Sequence, residues 1–245
     1  MENLPPAIHG ATLGTAIAVV FVAAAIHGAL GYGFGLIAAP VLVMLDPALV
    51  PVPLLGISIP LMAVTGWRDR AALERCEIFY ALAGRMPGTA LGVGAVPVAS
   101  QATLAVAFAL AVLAGVGLSL SHVWLRPTAR GLAAAGLVSG LMGTVTSVGT
   151  PPLALVYQHR STTDVRAALS TLTAIGAAIS LAALAAAGHA SRADAILVAL
   201  LCPAVVAGYS AAGLLRRMVD GREPQPALLV FATLSALSIL ANQIW

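Results

Sequence analysis

Residues 28–40 read Gly28-Ala-Leu-Gly31-Tyr32-Gly33-Phe-Gly35-Leu-Ile-Ala-Ala-Pro40 and interrupt an apolar stretch that begins near residue 11. A second interruption, at residues 139–152, reads Ser139-Gly-Leu-Met-Gly143-Thr144-Val-Thr146-Ser147-Val-Gly149-Thr150-Pro-Pro152. We name these segments the first break and the second break. Because glycine and proline both disfavour a continuous helix, each break predicts that one helix ends and the chain changes direction.

The composition around the breaks is typical of a membrane protein. Of the 245 residues, 60% are hydrophobic and only 9% are charged, whereas soluble domains average about 25% charged residues. Apolar stretches of about 20 residues, long enough to cross a bilayer core, recur along the whole chain. This recurrence excludes a signal peptide or a single anchor. The sequence therefore predicts an all-α polytopic membrane protein.

The apolar stretches divide into long segments and shorter pieces. The long segments lie at 11–30, 49–67, 78–98, 101–120, 165–187, 194–215 and 226–244. A further segment, 130–143, runs into the second break, and two half-length pieces follow the breaks at 36–45 and 151–158. We expect each half-length piece to be the second arm of a hairpin, returning the chain to the side from which the preceding helix entered.

The basic residues support these hairpins. All 12 of them are arginines, and basic residues concentrate in cytoplasmic loops. If both half-length pieces return, ten of the arginines fall on one side, and only Arg192 and the intramembrane Arg85 do not. This pattern predicts that the N- and C-termini both lie outside. We expect the protein to lie in a prokaryotic cytoplasmic (inner) membrane.

The breaks also relate the two halves of the chain. An offset of 112 residues matches three pairs, Gly28 with Gly140, Gly31 with Gly143 and Pro40 with Pro152. Each half, 1–122 and 123–245, then contains a hairpin with a broken or half-length helix plus three transmembrane helices. Since the first hairpin enters from outside and the second from inside, the halves are inverted repeats, an arrangement typical of secondary transporters.

The chemistry of the breaks favours an anion. Backbone without helical hydrogen bonds is tolerated in a membrane only where it is buried in protein or lines a cavity. Thr150 followed by Pro151 is typical of a helix start, and the offset places the start of the first half-length helix near Ala39 and Pro40. Helix N-termini offer free amides and partial positive charge. We therefore predict a small anionic substrate, with substrate-binding candidates Gly31, Tyr32, Gly33, Gly35, Thr144, Thr146, Ser147, Gly149 and Thr150.

Two ionisable residues complete the candidate site, and each has a structural alternative. Arg85 lies about 11 Å into its segment at 1.5 Å per residue, where a charge is a functional candidate. Its side chain could instead extend back to the interface. His27 precedes the first break and could contact substrate, relay a proton or simply pack. The glycines of both breaks could likewise serve only close helix crossing.

Other classes of function find less support. The scattered arginines form no basic face, so we predict the substrate and the lipid bilayer, and no nucleic acid, as partners. Cys76 and Cys202 are too few for a disulfide framework, and we expect no cofactor and no metal. An intramembrane hydrolase would need a base beside a nucleophile such as Ser139, and the sequence offers no convincing partner, so we do not expect an enzyme. A passive anion channel could use the same donors and stays an alternative.

At the two breaks the sequence resembles the TauE/SafE family of sulfite exporters and related permeases. The matching residues are Gly28, Gly31, Gly33, Gly35 and Pro40, with Gly140, Gly143, Gly149 and Pro152 in the second copy. The second copy departs from the family pattern, since Thr, Ser and Val replace most of its glycines. The resemblance implies transport of sulfite, an organosulfonate or another sulfur-containing or carboxylate anion. Together with the inverted halves, it predicts a secondary transporter that works by alternating access.

Overall fold

The computed structural model describes residues 10–96, 127–157 and 160–219, together with positions 106, 109, 110, 113, 116, 117, 233 and 237. The regular elements in these ranges are all helical. Eight α-helices are described: α1 Gly10–Leu30, α2 Phe34–Leu45, α3 Val52–Arg68, α4 Arg75–Ala95, α5 Ala129–Thr146, α6 Thr150–Tyr157, α7 Thr162–Ala186 and α8 Arg192–Val219. The predicted segments 101–120 and 226–244 lie almost entirely outside the described residues.

Several of these helices can cross a membrane. Four described segments are both long and apolar enough, namely Thr12–Leu30, Pro47–Arg68, Thr163–Ala186 and Arg192–Gly213. α4 and α5 have 21 and 18 residues and carry more charge and glycine. The prediction of an all-helical, multi-pass membrane protein is confirmed.

The start of α2 corrects one prediction. α2 begins at Phe34, and Pro40 lies inside it, whereas the offset of 112 residues placed the start near Ala39 and Pro40. Gly31 and Gly33 have positive φ angles of 87° and 101°, a conformation that glycine adopts without a steric penalty. The turn is therefore complete within three residues, and the helix starts earlier than the proline indicates.

Small residues bring two pairs of helices into close contact. α4 packs along α5, with Gly84, Gly88 and Gly92 of α4 facing Ala133, Leu137 and Leu141 of α5 in the same order. α1 packs along α8, where Gly208 faces Phe21 and Gly28 faces Ala212. In each pair, residues later in one helix contact residues later in the other, so the two helices are parallel. Such close approach through glycine is the usual packing mode of membrane helices.

The third main pair runs antiparallel. α3 packs on α7, with Gly66 near the end of α3 facing Thr171. Val52 and Leu55 at the start of α3 share a hydrophobic cluster with Ala177 and Leu184 of α7. The contacts therefore advance in opposite directions along the two helices.

Both half-length helices return the chain as predicted. Asp46 and Leu49, after α2, lie beside Thr12 and Leu13 at the start of α1. In the second half, Tyr157 at the end of α6 lies beside Glu77, at the level where the parallel helices α4 and α5 begin. Each break is thus the tip of a hairpin inside the bundle.

The loops rich in arginine lie on one side of the bundle. Arg166 Nε donates to Asp69 Oδ2 at 2.5 Å, and Arg160 contacts Glu74 at 3.0 Å and Glu77 at 2.6 Å. Residues 68–77 and 160–166, which we name the arginine-rich face, therefore lie together, as the distribution of arginines predicts. Arg126, Arg222 and the side chains of Arg216 and Arg217 are outside the described residues.

Candidate functional site

The side chain of Arg85 is buried in the middle of the bundle. It lies on α4 and is 3% exposed. Its Nη1 donates a hydrogen bond of 2.6 Å to Oγ of Ser139 on α5. The guanidinium therefore does not extend back to the membrane interface, and the alternative considered for it from the sequence does not hold.

Ser139 joins Arg85 to the second break. While its Oγ accepts from Arg85, its hydroxyl proton is donated to the carbonyl oxygen of Gly149 at 2.5 Å. α5 supplies Ser139 near its middle, and the turn after α5 brings Gly149 back to the same level. The sequence singled out Ser139 as a possible nucleophile, but in this geometry it connects the cationic side chain to the turn.

Three glycines make room for the guanidinium. A Cβ atom would lie 2.8 Å from Nη2 at Gly143 and 3.1 Å from Nη1 at Gly149. At Gly176, on α7, a Cβ atom would overlap Nε of Arg85. These glycines therefore leave space for the arginine side chain, whereas the sequence suggested only that the glycines of the breaks expose backbone amides. Gly176 was missed by sequence reasoning because it lies in the middle of an unbroken apolar segment.

Arg85 has no carboxylate partner within the described ranges. The ion pairs found there join Arg68 and Arg166 to Asp69, and Arg160 to Glu74 and Glu77. In addition, Nε of Arg85 has no hydrogen-bond partner among the described residues. A buried charge without a counter-ion is strongly unfavourable. A bound anion would supply the missing negative charge.

The hydroxyls of the second break hold its shape. Thr144 Oγ1 donates to the carbonyl of Gly140 at 2.7 Å and forms a second hydrogen bond with Ser180 Oγ at 2.8 Å. Thr146 Oγ1 donates to the carbonyl of Met142 at 2.7 Å and accepts from the amide of Val148 at 3.2 Å. These groups, expected from the sequence to face a substrate, are engaged inside the protein in this conformation.

Ser147 marks the end of α5. It has a positive φ of 62°, which is uncommon for a residue with a side chain, and its Oγ donates to the carbonyl of Pro51 at 3.0 Å. α6 begins at Thr150, in agreement with the Thr-Pro start signal. The strained turn at residues 147–149 is therefore tied both to α3, through Pro51, and to Arg85, through Gly149.

The first break packs against α7 and the second break. A Cβ atom at Gly31 would overlap the side chain of Arg166, and the Gly31 carbonyl accepts from Ser170 Oγ at 2.8 Å. At Gly35 a Cβ atom would be 3.0 Å from the carbonyl oxygen of Ser147. The two breaks therefore touch. Gly33 directly precedes α2, and Tyr32 packs between the two larger hydrophobic clusters.

Arg166 itself is held by Asp69, which also contacts Arg68. Burial raises the pKa of Asp69, but its hydrogen bonds to Arg68 and Arg166 and their charges outweigh that effect and lower the pKa below its ordinary value. Asp69 is thus a stable anion at neutral pH. It keeps Arg166 in place over Gly31.

His27 lies apart from the Arg85 group. It is 1% exposed, and its ring meets that of Phe34 edge-on, with the centroids 6.5 Å apart. Neither ring nitrogen has a hydrogen-bond partner among the described residues. No group of three or more His, Cys, Asp or Glu side chains that could hold a metal comes together within the described part of the chain.

The family comparison agrees with this geometry. The family model described as sulfite exporter TauE/SafE matches residues 16–239. The chain belongs to the TauE/SafE family. No curated protein and no solved structure matches it. TauE/SafE proteins are membrane transporters, so the family points to anion transport across a membrane. In this TauE/SafE chain the buried guanidinium of Arg85 is a positive group suited to an anion.

Proposed function

We propose that the chain is a secondary transporter of a small sulfur-containing anion, sulfite or an organosulfonate, which binds beside Arg85. The observation that carries this proposal is the buried guanidinium, which has no carboxylate partner among the described residues and contacts the second break through Ser139. A related carboxylate anion would satisfy the same charge. Family membership supports the class of substrate.

The second break supplies the remaining contacts in this proposal. Gly149 and Thr150 lie at the start of α6, where unpaired amides and the helix dipole favour negative charge. The glycines around Arg85 keep the guanidinium within reach of that helix end. Gly31, Tyr32, Gly33 and Gly35 of the first break, with His27 behind them, would form the opposite wall, since Gly35 contacts Ser147.

The helix pairing supports two inverted repeats, 1–122 and 123–245. In such a repeat, α1 corresponds to α5, α3 to α7 and α4 to α8. The pair α1–α8 of one arrangement therefore corresponds to the pair α5–α4, and the helices of both pairs are closely packed and parallel. The pair α3–α7 maps onto itself and is antiparallel, as a two-fold axis in the membrane plane requires.

Sequence spacing supports the same relation, at an offset of 116 residues instead of 112. Leu30 and Thr146, the last residues of α1 and α5, are 116 residues apart, and so are Phe34 and Thr150, the first residues of α2 and α6. The same spacing matches Gly33 with Gly149, Gly92 with Gly208, and Pro87 inside α4 with Pro203 inside α8. The offset of 112 aligned prolines that occupy different positions in their helices.

Alternating access follows from such an arrangement. Two inverted halves that differ slightly in conformation can exchange conformations, which moves the opening from one side of the bound anion to the other. The half-length helices α2 and α6, which meet at Gly35 and Ser147, would be the moving parts. In this proposal the arginine-rich face is cytoplasmic, and the N- and C-termini lie outside the inner membrane.

The experiment that tests the proposal is anion flux in proteoliposomes. Purified protein should take up labelled sulfite, sulfoacetate or taurine with saturable kinetics and should exchange internal for external anion. Absence of both flux and anion-dependent thermal stabilisation would overturn the proposal. Flux that rises linearly with concentration and shows no exchange would favour a passive channel. The buried Arg85 would then line the pore and attract the anion.

A further inference from the structure

A small polar cavity lies at the arginine-rich face, outside the Arg85 group. It has a volume of about 50 Å³ and lies between the start of α4, the end of α6 and the start of α7. Its polar lining consists of Glu74, Glu77, Tyr157, Arg160 and Asp164. Three carboxylates and one guanidinium therefore line a cavity large enough for ordered water.

Glu77 is the enclosed member of this group. Arg160 contacts both glutamates, with Nη1 3.0 Å from Glu74 and Nη2 2.6 Å from Glu77. The side chain of Glu74 is 58% exposed, whereas that of Glu77 is only 13% exposed. Loss of the negative charge on Glu77 would therefore change its interaction with the neighbouring side chains, whereas solvent screens the charge of Glu74.

The hydroxyl of Tyr157 lies close to Glu77 in the same cavity. The residue is 2% exposed, yet its hydroxyl has no hydrogen-bond partner among the described residues. A buried tyrosine hydroxyl normally finds a partner, and it can either donate or accept. Beside Glu77 it is placed to accept a hydrogen bond from a protonated carboxyl group.

We propose that Glu77 carries the proton that couples to anion transport, a proposal that rests on the transport function proposed above. A proton from cytoplasmic water adds to one carboxylate oxygen of Glu77 and gives a neutral carboxylic acid. The new O–H donates to the Tyr157 hydroxyl, and Arg160 keeps its positive charge and its contact with Glu74. The proton leaves a hydronium ion, which becomes water, so one O–H bond breaks as the new one forms.

The position of Glu77 connects this proton to the anion. α4 carries both Glu77 and Arg85, whose side chains contact opposite ends of α6. Glu77 binds Arg160 just after α6, and Arg85 reaches Gly149 just before it through Ser139. Protonation of Glu77 removes the ion pair at one end. An anion beside Arg85 changes the charge at the other end, so both ligands act on the contact between α6 and α4.

The burial of Glu77 favours proton uptake. Glu77 precedes the predicted spanning segment 78–98. Burial raises its pKa and the charge of Glu74 adds to that effect, whereas the charge and hydrogen bond of Arg160 and the Tyr157 hydroxyl lower the pKa; the net pKa lies above the ordinary value. Tyr157 and Asp164 are the other titratable groups of the cavity. Glu77 therefore takes up a proton at higher pH than an exposed glutamate would.

The test separates exchange from proton-driven uptake in proteoliposomes. Labelled sulfite is used, and sulfoacetate, whose charge does not change near neutral pH, is measured beside it. The wild type should exchange the anion and should accumulate it several-fold more under an imposed pH gradient. Glu77→Gln, which resembles the protonated residue, should keep exchange within about twofold and lose the gradient response. Glu74→Gln removes the other contact of Arg160 and should keep that response.

The outcomes distinguish the two proposals. Exchange by the wild type without any response to a pH gradient would overturn the coupling role and leave the transport function standing. A gradient response that persists in Glu77→Gln, or that disappears equally in Glu74→Gln, would also overturn the assignment to Glu77. If Glu77→Gln does not fold, Glu77→Asp keeps a titratable group, and loss of the response in folded Glu77→Asp would contradict the proposal. No exchange by the wild type would overturn both proposals.

Discussion

Arg85 and Gly149 are joined through one hydroxyl group: Nη1 of Arg85 donates to Ser139 at 2.6 Å, and Ser139 donates to the Gly149 carbonyl at 2.5 Å. The connection crosses from α4 through α5 to the turn that starts α6. We therefore expect a change in the charge balance around the guanidinium to act on the second break, which contains the start of α6, one of the proposed moving parts.

Removing the buried charge should weaken anion binding. Arg85→Gln is expected to lower the affinity for sulfite by roughly ten- to a hundredfold, because a hydrogen bond to a charged group contributes about 1.5–3 kcal/mol. Sulfite-dependent thermal stabilisation of the purified protein measures the change. Arg130→Gln alters an exposed arginine of α5 and is the matched control. Equal affinity in the two variants would remove Arg85 from the site.

Filling the space beside the guanidinium should also reduce anion transport. A methyl group at Gly176 would overlap Nε of Arg85, so Gly176→Ala must displace the side chain and should reduce anion flux at least tenfold. At Gly94, on the same helix as Arg85, a Cβ atom meets nothing within 4 Å. Gly94→Ala should therefore transport normally. Normal flux in Gly176→Ala would show that the position of Arg85 is unimportant.

The repeat relation predicts that alanine destabilises the protein at both Gly92 and Gly208, which are 116 residues apart. A Cβ atom at Gly92 would lie 2.7 Å from Thr144 Cβ, and a Cβ atom at Gly208 would overlap the carbonyl oxygen of Phe21 and lie 2.9 Å from Ala24 Cβ. Alanine at either position should lower the stability by about 1–3 kcal/mol, as overpacking usually does. Thermal unfolding in detergent checks this, with Gly213→Ala, where space is open, as control. Destabilisation by only one of the two would argue against equivalent interfaces.

Cys76 reports which side the arginine-rich face occupies. Its side chain is exposed at the start of α4, close to Glu74 and Glu77. In a Cys202→Ser background, a membrane-impermeant maleimide should label Cys76 in inside-out vesicles and leave it unlabelled in intact cells. The reverse pattern would place this face outside and invert the proposed topology.

Asp69 should make stability depend on acid pH. Its pKa is lowered from 3.8 by the hydrogen bonds and charges of Arg68 and Arg166, which outweigh burial. A lowered pKa in the folded state gives stability that is present above pH 3.8 and lost as the pH falls through the folded value. The wild type should thus unfold at higher temperature than Asp69→Asn near neutral pH, and the difference should shrink below pH 3.8. Arg166→Gln should reduce the difference without removing it, because Arg68 still contacts Asp69. A difference independent of pH would contradict this account.

Much of the site could be predicted because its signals are local. Arg85 is a charge in an apolar segment, and Gly149 and Thr150 form part of a sequence that cannot continue a helix. Ser139 was noticed for a different chemistry. Gly176 carried no signal, since its role depends on a side chain from another helix that approaches it. The hydroxyls of Thr144 and Thr146 donate to their own helix, a choice that depends on local geometry.

The sequence by itself determined the membrane class, the two breaks, the return of both hairpins and the common side of the described arginine loops. These properties follow from hydrophobicity, helix length and charge, which act along the chain without reference to distant residues. Only the tertiary structure decided that α2 starts at Phe34, that the described helices pair as α1–α8, α4–α5 and α3–α7, and that Arg85 lies among Ser139, Gly149 and Gly176. Those outcomes depend on close packing between segments far apart in sequence, where positive φ angles at glycine and the missing Cβ atoms determine which surfaces can meet.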